Sequence, residues 1–271
     1  MNETPESERK APQDAPFSHA ASPNGKPEID RDRVSAWWLR LDDIGAADWP
    51  LLESLLSDEE LTRAQRFHFD RDRDVYIAAH ALCRGLLTCC ARSAPRDWRF
   101  TVEDHGKPEV VSPAGAPRLR VNISHTRGLA AVALTAENDI GVDVEWLQRE
   151  AATEQLAERV FAPKERQVLA DAAETMKTET FLTFWTLKEA YVKAIGKGLS
   201  QPLDAFHFDL ETLAIAFDDP DVDDPANWQF ARWRPGPDHL MALAIRHPDP
   251  ARLAIEAGPA PLDYLRALAG S

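Results

Sequence analysis

The chain has 271 residues, 44% of them hydrophobic, and a formal charge of −14. That is enough apolar content for one large or two small domains, and too negative a field for a nucleic-acid backbone. No uninterrupted apolar run can span a bilayer, and the opening "MNETPESERKAPQDAP" has no apolar signal region, so the cytoplasm is the expected compartment, with no membrane partner. A phosphate-bearing ligand must therefore find a local basic patch.

Residues 1–30 are rich in Pro, Ser, Glu and Asn and almost free of large apolar side chains. Burial cannot offset the entropy of ordering them, which predicts a disordered tail. Order begins at Val34–Leu41, "VSAWWLRL", whose β-branched and aromatic content predicts a strand. Ser57, with Glu60 three residues on, has the capping-box spacing and starts a helix. "DVYIAAHALCRGLLTCCA" continues as a long apolar helix. Its cysteines, Cys83, Cys89 and Cys90, lack the paired spacing of a zinc site or disulfide framework and read as reduced core residues. Extended segments follow at "WRFTVEDHGKPEV", "RLRVNISHT" and "GLAAVALTA", the last two separated by a turn at Arg127-Gly128.

The second half repeats this order. "FAPKERQVL" predicts a short helix, "ETFLTFWTLKEAYVKAIG" a long one, "DAFHFDLETLAIAF" an extended pair, and "WQFARW…HLMALAI" a final hairpin. The simplest reading is α+β, with two copies of one unit joined near Glu137–Asp139. The tail then covers 1–30, the N-terminal half 31–137 and the C-terminal half 138–271; one irregular α+β domain is the alternative.

Five stretches carry chemistry. In "FWTLKEAYVKAIGKG", Glu189 shares its helix face with Leu182, Trp185 and Val192, while Phe184, Leu187, Tyr191 and Ile195 lie opposite. The helix is hydrophobic nearly all round, so Glu189 is expected to be buried and to pair with a cation, shift its pKa or bind a metal. An i,i+4 pair with Lys193 is the bland outcome. In "IGVDVEWL", strict alternation puts Asp143 and Glu145 side by side on one strand face, a donor set suited to a hard ion such as Mg²⁺ or simply to water. "NISHT" ends a strand with Ser124 and His125 able to contact an anion. "HGKP" places Lys107 in a turn, and "TRAQRFHFDRDRD" interleaves Arg63, Arg66, Arg71 and Arg73 with acids. The acidic run Asp218–Pro225 lacks the glycine and terminal glutamate of an EF-hand and reads as a solvated loop.

In this order, Asn122-Ile-Ser-His125, Gly141-Val-Asp-Val-Glu145, Trp185-Thr-Leu-Lys-Glu-Ala-Tyr-Val-Lys193 and the following "GKGLSQPL" resemble the Sfp-type 4′-phosphopantetheinyl transferases, over about Val34 to Ile245. The resemblance implies a pseudo-dimer of two similar α+β halves with coenzyme A and Mg²⁺ in the cleft between them. It also implies transfer of the phosphopantetheinyl arm to a serine of an acyl or peptidyl carrier protein, by a monomer. Carried over residue by residue, Asp143, Glu145 and Glu189 are the metal shell, with Asp143 reaching the coenzyme through the metal, and Glu189 and Lys193 the catalytic pair. Lys193 and His125 contact the pyrophosphate, Lys107 and Ser124 the nucleotide end, and Arg63 and Arg71 the 3′-phosphate. Members often carry a further basic residue where this chain has Glu60, so Arg66 or Arg73 could share the 3′-phosphate. Two other readings use the same residues: a metal-dependent phosphohydrolase of coenzyme A or nucleotides, and a carrier-binding module without chemistry.

Overall fold

The computed structural model describes residues 29–90, 93–102, 108–112, 118–149 and 154–270. The predicted tail, up to residue 28, and Lys107 lie outside the described residues. In chain order the strands are β1 (Arg33–Arg40), β2 (Phe100–Val102), β3 (Pro108–Val110), β4 (Leu119–Thr126), β5 (Leu129–Ala136), β6 (Ile140–Trp146), β7 (Phe206–Phe208), β8 (Ile215–Phe217), β9 (Trp228–Trp233), β10 (His239–Arg246) and β11 (Ala254–Pro259). The helices are α1 (Trp49–Ser54), α2 (Asp58–Ala64), α3 (Asp70–Cys90), α4 (Glu154–Val160), α5 (Pro163–Asp171), α6 (Lys177–Ile195) and α7 (Leu262–Ala269). The mixed α+β class is as the sequence predicts.

Local rules place the boundaries that matter. The α2 capping box is present: Ser57 Oγ accepts from the Glu60 N–H at 3.3 Å, and the Glu60 carboxylate accepts from the Ser57 N–H at 2.8 Å. Helix α6 stops at Gly196, whose φ of 69° is the left-handed cap that glycine adopts without steric cost.

Two main sheets form, β11-β1-β5-β4 and β6-β10-β9. Period-2 alternation decides what each face touches. On β1 and β5, Trp37, Leu39, Val132 and Leu134 face α3, while Val34, Ala36, Ala131 and Ala133 face the other sheet. On β6 and β10, Ile140, Val142, Val144, Met241 and Leu243 meet that face, while Leu240, Ala242 and Ala244 turn toward α6. The result is four layers: α3, sheet, sheet, α6. Each fully buried large apolar side chain contributes about 1.5–3 kcal/mol to this stack.

Where the sheets adjoin, side chains replace the backbone ladder. The Val142 N–H donates to Asn122 Oδ1 at 2.8 Å, and the Val144 N–H donates to Ser124 Oγ at 3.2 Å. Helix α6 lies directly on β6 at Gly141, where a Cβ would come within 2.0 Å of the Ala190 carbonyl oxygen. Only glycine permits that approach.

The chain end differs from expectation. The β9–β10 hairpin is not the last element: β11 returns to pair in parallel with β1, and α7 buries Leu265 in the α3 core. The expected second half, 138–271, thus ends in a segment that packs on the first. Its Ala, Gly and Pro content, "AIEAGP", gives little strand signal, because β propensity resides in branched and aromatic side chains, of which this edge strand has only Ile255. In the acidic run, Asp223 is not solvated: it accepts from Trp228 Nε1 at 3.0 Å and Arg246 at 2.9 Å, pinning the loop.

Candidate active site

The seam between β4 and β6, covered by α6, gathers most of the chemistry-bearing residues. Asp143 and Glu145 project from one face of β6, Ser124 comes from β4, and Glu189 and Lys193 lie one turn apart on α6. Lys193 Nζ donates to Asp143 Oδ1 at 2.6 Å, Ser124 Oγ at 2.9 Å and the Val142 carbonyl at 3.2 Å. Ser124 Oγ donates to Asp143 Oδ1 at 3.0 Å. Lys193 therefore pairs with Asp143 across the seam, in place of the intrahelical Glu189 pairing that i,i+4 spacing suggests.

The Asp143 charge acts on both neighbouring glutamates. Burial, then the Asp143 charge, pushes Glu145 up to about 7, against the pull of Arg149, Trp185 and Lys193. The same two causes, in the same order, raise Glu189, opposed by Lys193 and Arg149. Asp143 Oδ2 is buried without a hydrogen-bond partner among the described residues. Leaving such an atom unsatisfied is costly unless a cation meets it. An oxygen-only donor set with one orphaned oxygen fits a hard divalent ion. Among the described residues no three His, Cys, Asp or Glu side chains form a ready metal cluster. Two cations of the chain meet these carboxylates: Lys193 on Asp143, and Arg149, which pairs with Glu145 and lies 5.9 Å over the Trp185 ring.

Glu189 itself is half-buried, which corrects the expectation of a buried carboxylate. The fully buried charge is its neighbour Lys188. Its ammonium meets Glu165 at 2.8 Å, with both side chains 0% exposed, and donates to the carbonyls of Leu203 and Phe206. Burial lowers the Lys188 pKa and raises that of Glu165, each opposed by the partner's charge.

The basic residues of the first half fall into separate groups. Arg63 and Arg66 line an open hollow of about 750 Å³ with Asp58, Glu59, Thr62 and Phe67. Arg71 is outside that lining, 5.1 Å over the Phe69 ring and 3.5 Å from Asp72. Arg73 is held by Asp70 and Asp74. Glu60 turns inward, accepting from Arg84 Nε at 2.7 Å and meeting His80 Nδ1 at 2.9 Å. Burial raises its pKa, yet the His80 and Arg84 hydrogen bonds prevail and hold it at about 2. His125 is accessible at the end of β4, but crowding by the chain, followed by the Lys193 and His80 charges, lowers its pKa.

Sequence comparisons decide the family. A model for the 4′-phosphopantetheinyl transferase superfamily matches residues 139–244, and one for the N-terminal part of a 4′-phosphopantetheinyl transferase matches residues 45–137. The 4′-phosphopantetheinyl transferase HetI of Nostoc sp. is 34% identical over 63% of this chain and 71% of that protein. The chain belongs to the 4′-phosphopantetheinyl transferase family. Sfp of Bacillus subtilis is 28% identical over 72% of this chain and 84% of its own. The human L-aminoadipate-semialdehyde dehydrogenase-phosphopantetheinyl transferase is 27% identical over 76% and 72% respectively.

For this phosphopantetheinyl transferase, sequence reasoning gave no role to three residues that hold the seam and its helix in place. Asn122 stitches the two sheets; its signal was a polar residue two before Ser124 on the same strand face. Glu165 holds the α6 anchor, and its signal was the third position of a helix opened by Pro163. Arg149 covers Glu145 from four residues downstream, a spacing that carries no meaning on a strand and so gave no signal.

Proposed function

We propose that the protein moves the 4′-phosphopantetheine arm of coenzyme A onto a serine hydroxyl of an acyl or peptidyl carrier protein, with Mg²⁺ bound, releasing 3′,5′-adenosine bisphosphate. The observation that carries this reading is the seam: Lys193, Ser124 and Asp143 are joined by direct hydrogen bonds, with the orphaned Asp143 Oδ2 and the raised Glu145 and Glu189 beside them.

In this reading Asp143, Glu145 and Glu189 hold the metal, which when bound draws charge from the coenzyme's diphosphate. Lys193, fixed by Asp143 and Ser124, presents its ammonium to the same diphosphate. His125 donates to it from the rim of the seam, and Ser124 and Lys107 serve the nucleotide end. Glu189, made more basic by burial, accepts the proton of the incoming serine. The serine oxygen bonds to the phosphorus on the pantetheine side, and the bond from that phosphorus to the bridging oxygen breaks, the nucleotide leaving with the electron pair. Arg63 and Arg71 are the proposed grip on the 3′-phosphate; Arg66, which shares the Arg63 hollow, is the better-placed helper, since Arg73 is occupied.

The halves 31–137 and 138–271 are read as a pseudo-dimer within a monomeric cytoplasmic chain. The supporting feature is that α3 and α6 each carry a buried cation paired with the third-position glutamate of a short neighbouring helix. Intact-mass analysis tests the function: apo carrier proteins incubated with enzyme, Mg²⁺ and coenzyme A should gain one phosphopantetheinyl group, and none after metal removal. Adenosine bisphosphate released in the absence of any carrier would instead identify a hydrolase.

A further inference from the structure

Two cations of the chain face the carboxylate cluster, and they are held differently. Lys193 has three partners on two strands and its side chain is 28% exposed. Arg149 follows the end of β6, is 42% exposed, and among the described residues holds Glu145 by an ion pair and Trp185 by a ring-face contact. The well-anchored lysine belongs to the seam; the arginine is the one free to leave.

Asp143, with its unpartnered oxygen, and the neighbouring Glu145 and Glu189 carry up to three negative charges against the single positive charge of Lys193. A guanidinium and a divalent ion sharing the small Glu145 carboxylate would repel strongly in a half-buried setting, so the two occupy it in turn. We propose that Arg149 is the stand-in counter-cation of the metal-free enzyme, clamping Glu145 until a divalent ion displaces it, and that it thereby lowers metal affinity while stabilising the metal-free fold. This rests on the reading that Asp143, Glu145 and Glu189 form the metal shell. It adds a metal-responsive side chain that takes no part in the donor set.

Both consequences are measurable without turnover. Mn²⁺ or Mg²⁺ is titrated calorimetrically into the metal-stripped enzyme, free of coenzyme A, for the parent, Arg149→Met, Arg149→Lys and Asp143→Ala. Arg149→Met, similar in length and uncharged, should bind metal about three- to tenfold more tightly, the range for an exposed ion pair with added charge repulsion. Arg149→Lys should stay near the parent, and Asp143→Ala should lose binding. In chelator the melting temperature of Arg149→Met should fall below the parent's, and saturating metal should close the gap. If the parent binds metal, Asp143→Ala does not, and Arg149→Met binds no more tightly than the parent, the stand-in role is wrong while the metal shell survives. A melting deficit of equal size with and without metal would likewise reduce Arg149 to a structural residue. If no variant binds metal, the shell reading falls and this inference with it.

Discussion

Arg84 on α3 and Lys188 on α6 are both buried cations, and each meets a glutamate that also receives a backbone N–H at the start of a short helix. Glu60 accepts from Ser57 and from Arg84; Glu165 accepts from Ala162 at 3.0 Å and from Lys188. At α2 the box is reciprocal, whereas at α5 it is half a box, because Ala162 offers no side-chain acceptor. One residue further along each core helix the two halves part. After Arg84 comes Gly85, packed beneath Leu265 of α7; after Lys188 comes Glu189, half-buried at the seam. An ion pair of this kind fixes the rotation of a helix at little net gain in stability. What covers the next residue then decides whether that position is packing or chemistry.

The comparison breaks first at Glu189. Glu189→Gln keeps the shape and the Lys188 anchor but loses charge and basicity, so kcat should fall by about 10²- to 10⁴-fold. Calorimetry should find coenzyme A binding nearly unchanged, and a loss confined to KM would make Glu189 a binding residue only.

The anchor is next. Lys188→Met leaves Glu165 buried without its partner and should cost about 3–5 kcal/mol in urea unfolding. The double variant Lys188→Met/Glu165→Gln should recover much of that loss. A single variant as stable as the parent would show that the pair is not what orients α6.

Its counterpart in the first half carries a pH signature. Because Glu60 is depressed in the fold, to about 2 from 4.5, its stabilisation is present above the unfolded value and is lost as pH falls from about 4.5 toward 2. Glu60→Gln should therefore be less stable than the parent by about 2 kcal/mol at pH 7, with the difference shrinking across that window. A difference that persists unchanged at pH 2 would assign the effect to packing.

The smallest effect is expected at Gly85. A Cβ there would approach Leu265 Cδ2 to 2.2 Å, the far end of a movable side chain, while gaining helix propensity. Gly85→Ala should cost about 1 kcal/mol and leave transfer intact. An activity loss would mean that α7 reaches the site through α3.

What the sequence made legible was local or periodic. Ser57 and Glu60 announced α2, and alternation put Asp143 and Glu145 on one face, because caps and pleats act over a few residues. Which of Lys188 and Glu189 lies buried was not legible: they are one residue apart on an apolar helix, and the answer rests on where α5 docks. Lys193 likewise has its partner on a strand 50 residues away. The pairing of β11 with β1 had no local signal at all.

That pairing bears on how the chain acquires its structure. Arg33 waits for Ala254, roughly 220 residues later, and Trp37 for the Tyr264 ring, whose centroid is 6.2 Å away. During synthesis the β1 edge stays open and the α3 surface around Gly85 stays bare while the whole β6–β10 layer is being made. Such a long-range closure is slow and leaves an unpaired strand edge as a template for other chains. A nascent chain stalled near residue 250 would thus hold the β4–β6 seam and α6 in place beside an unfinished first sheet, and holdase chaperones would find their target there.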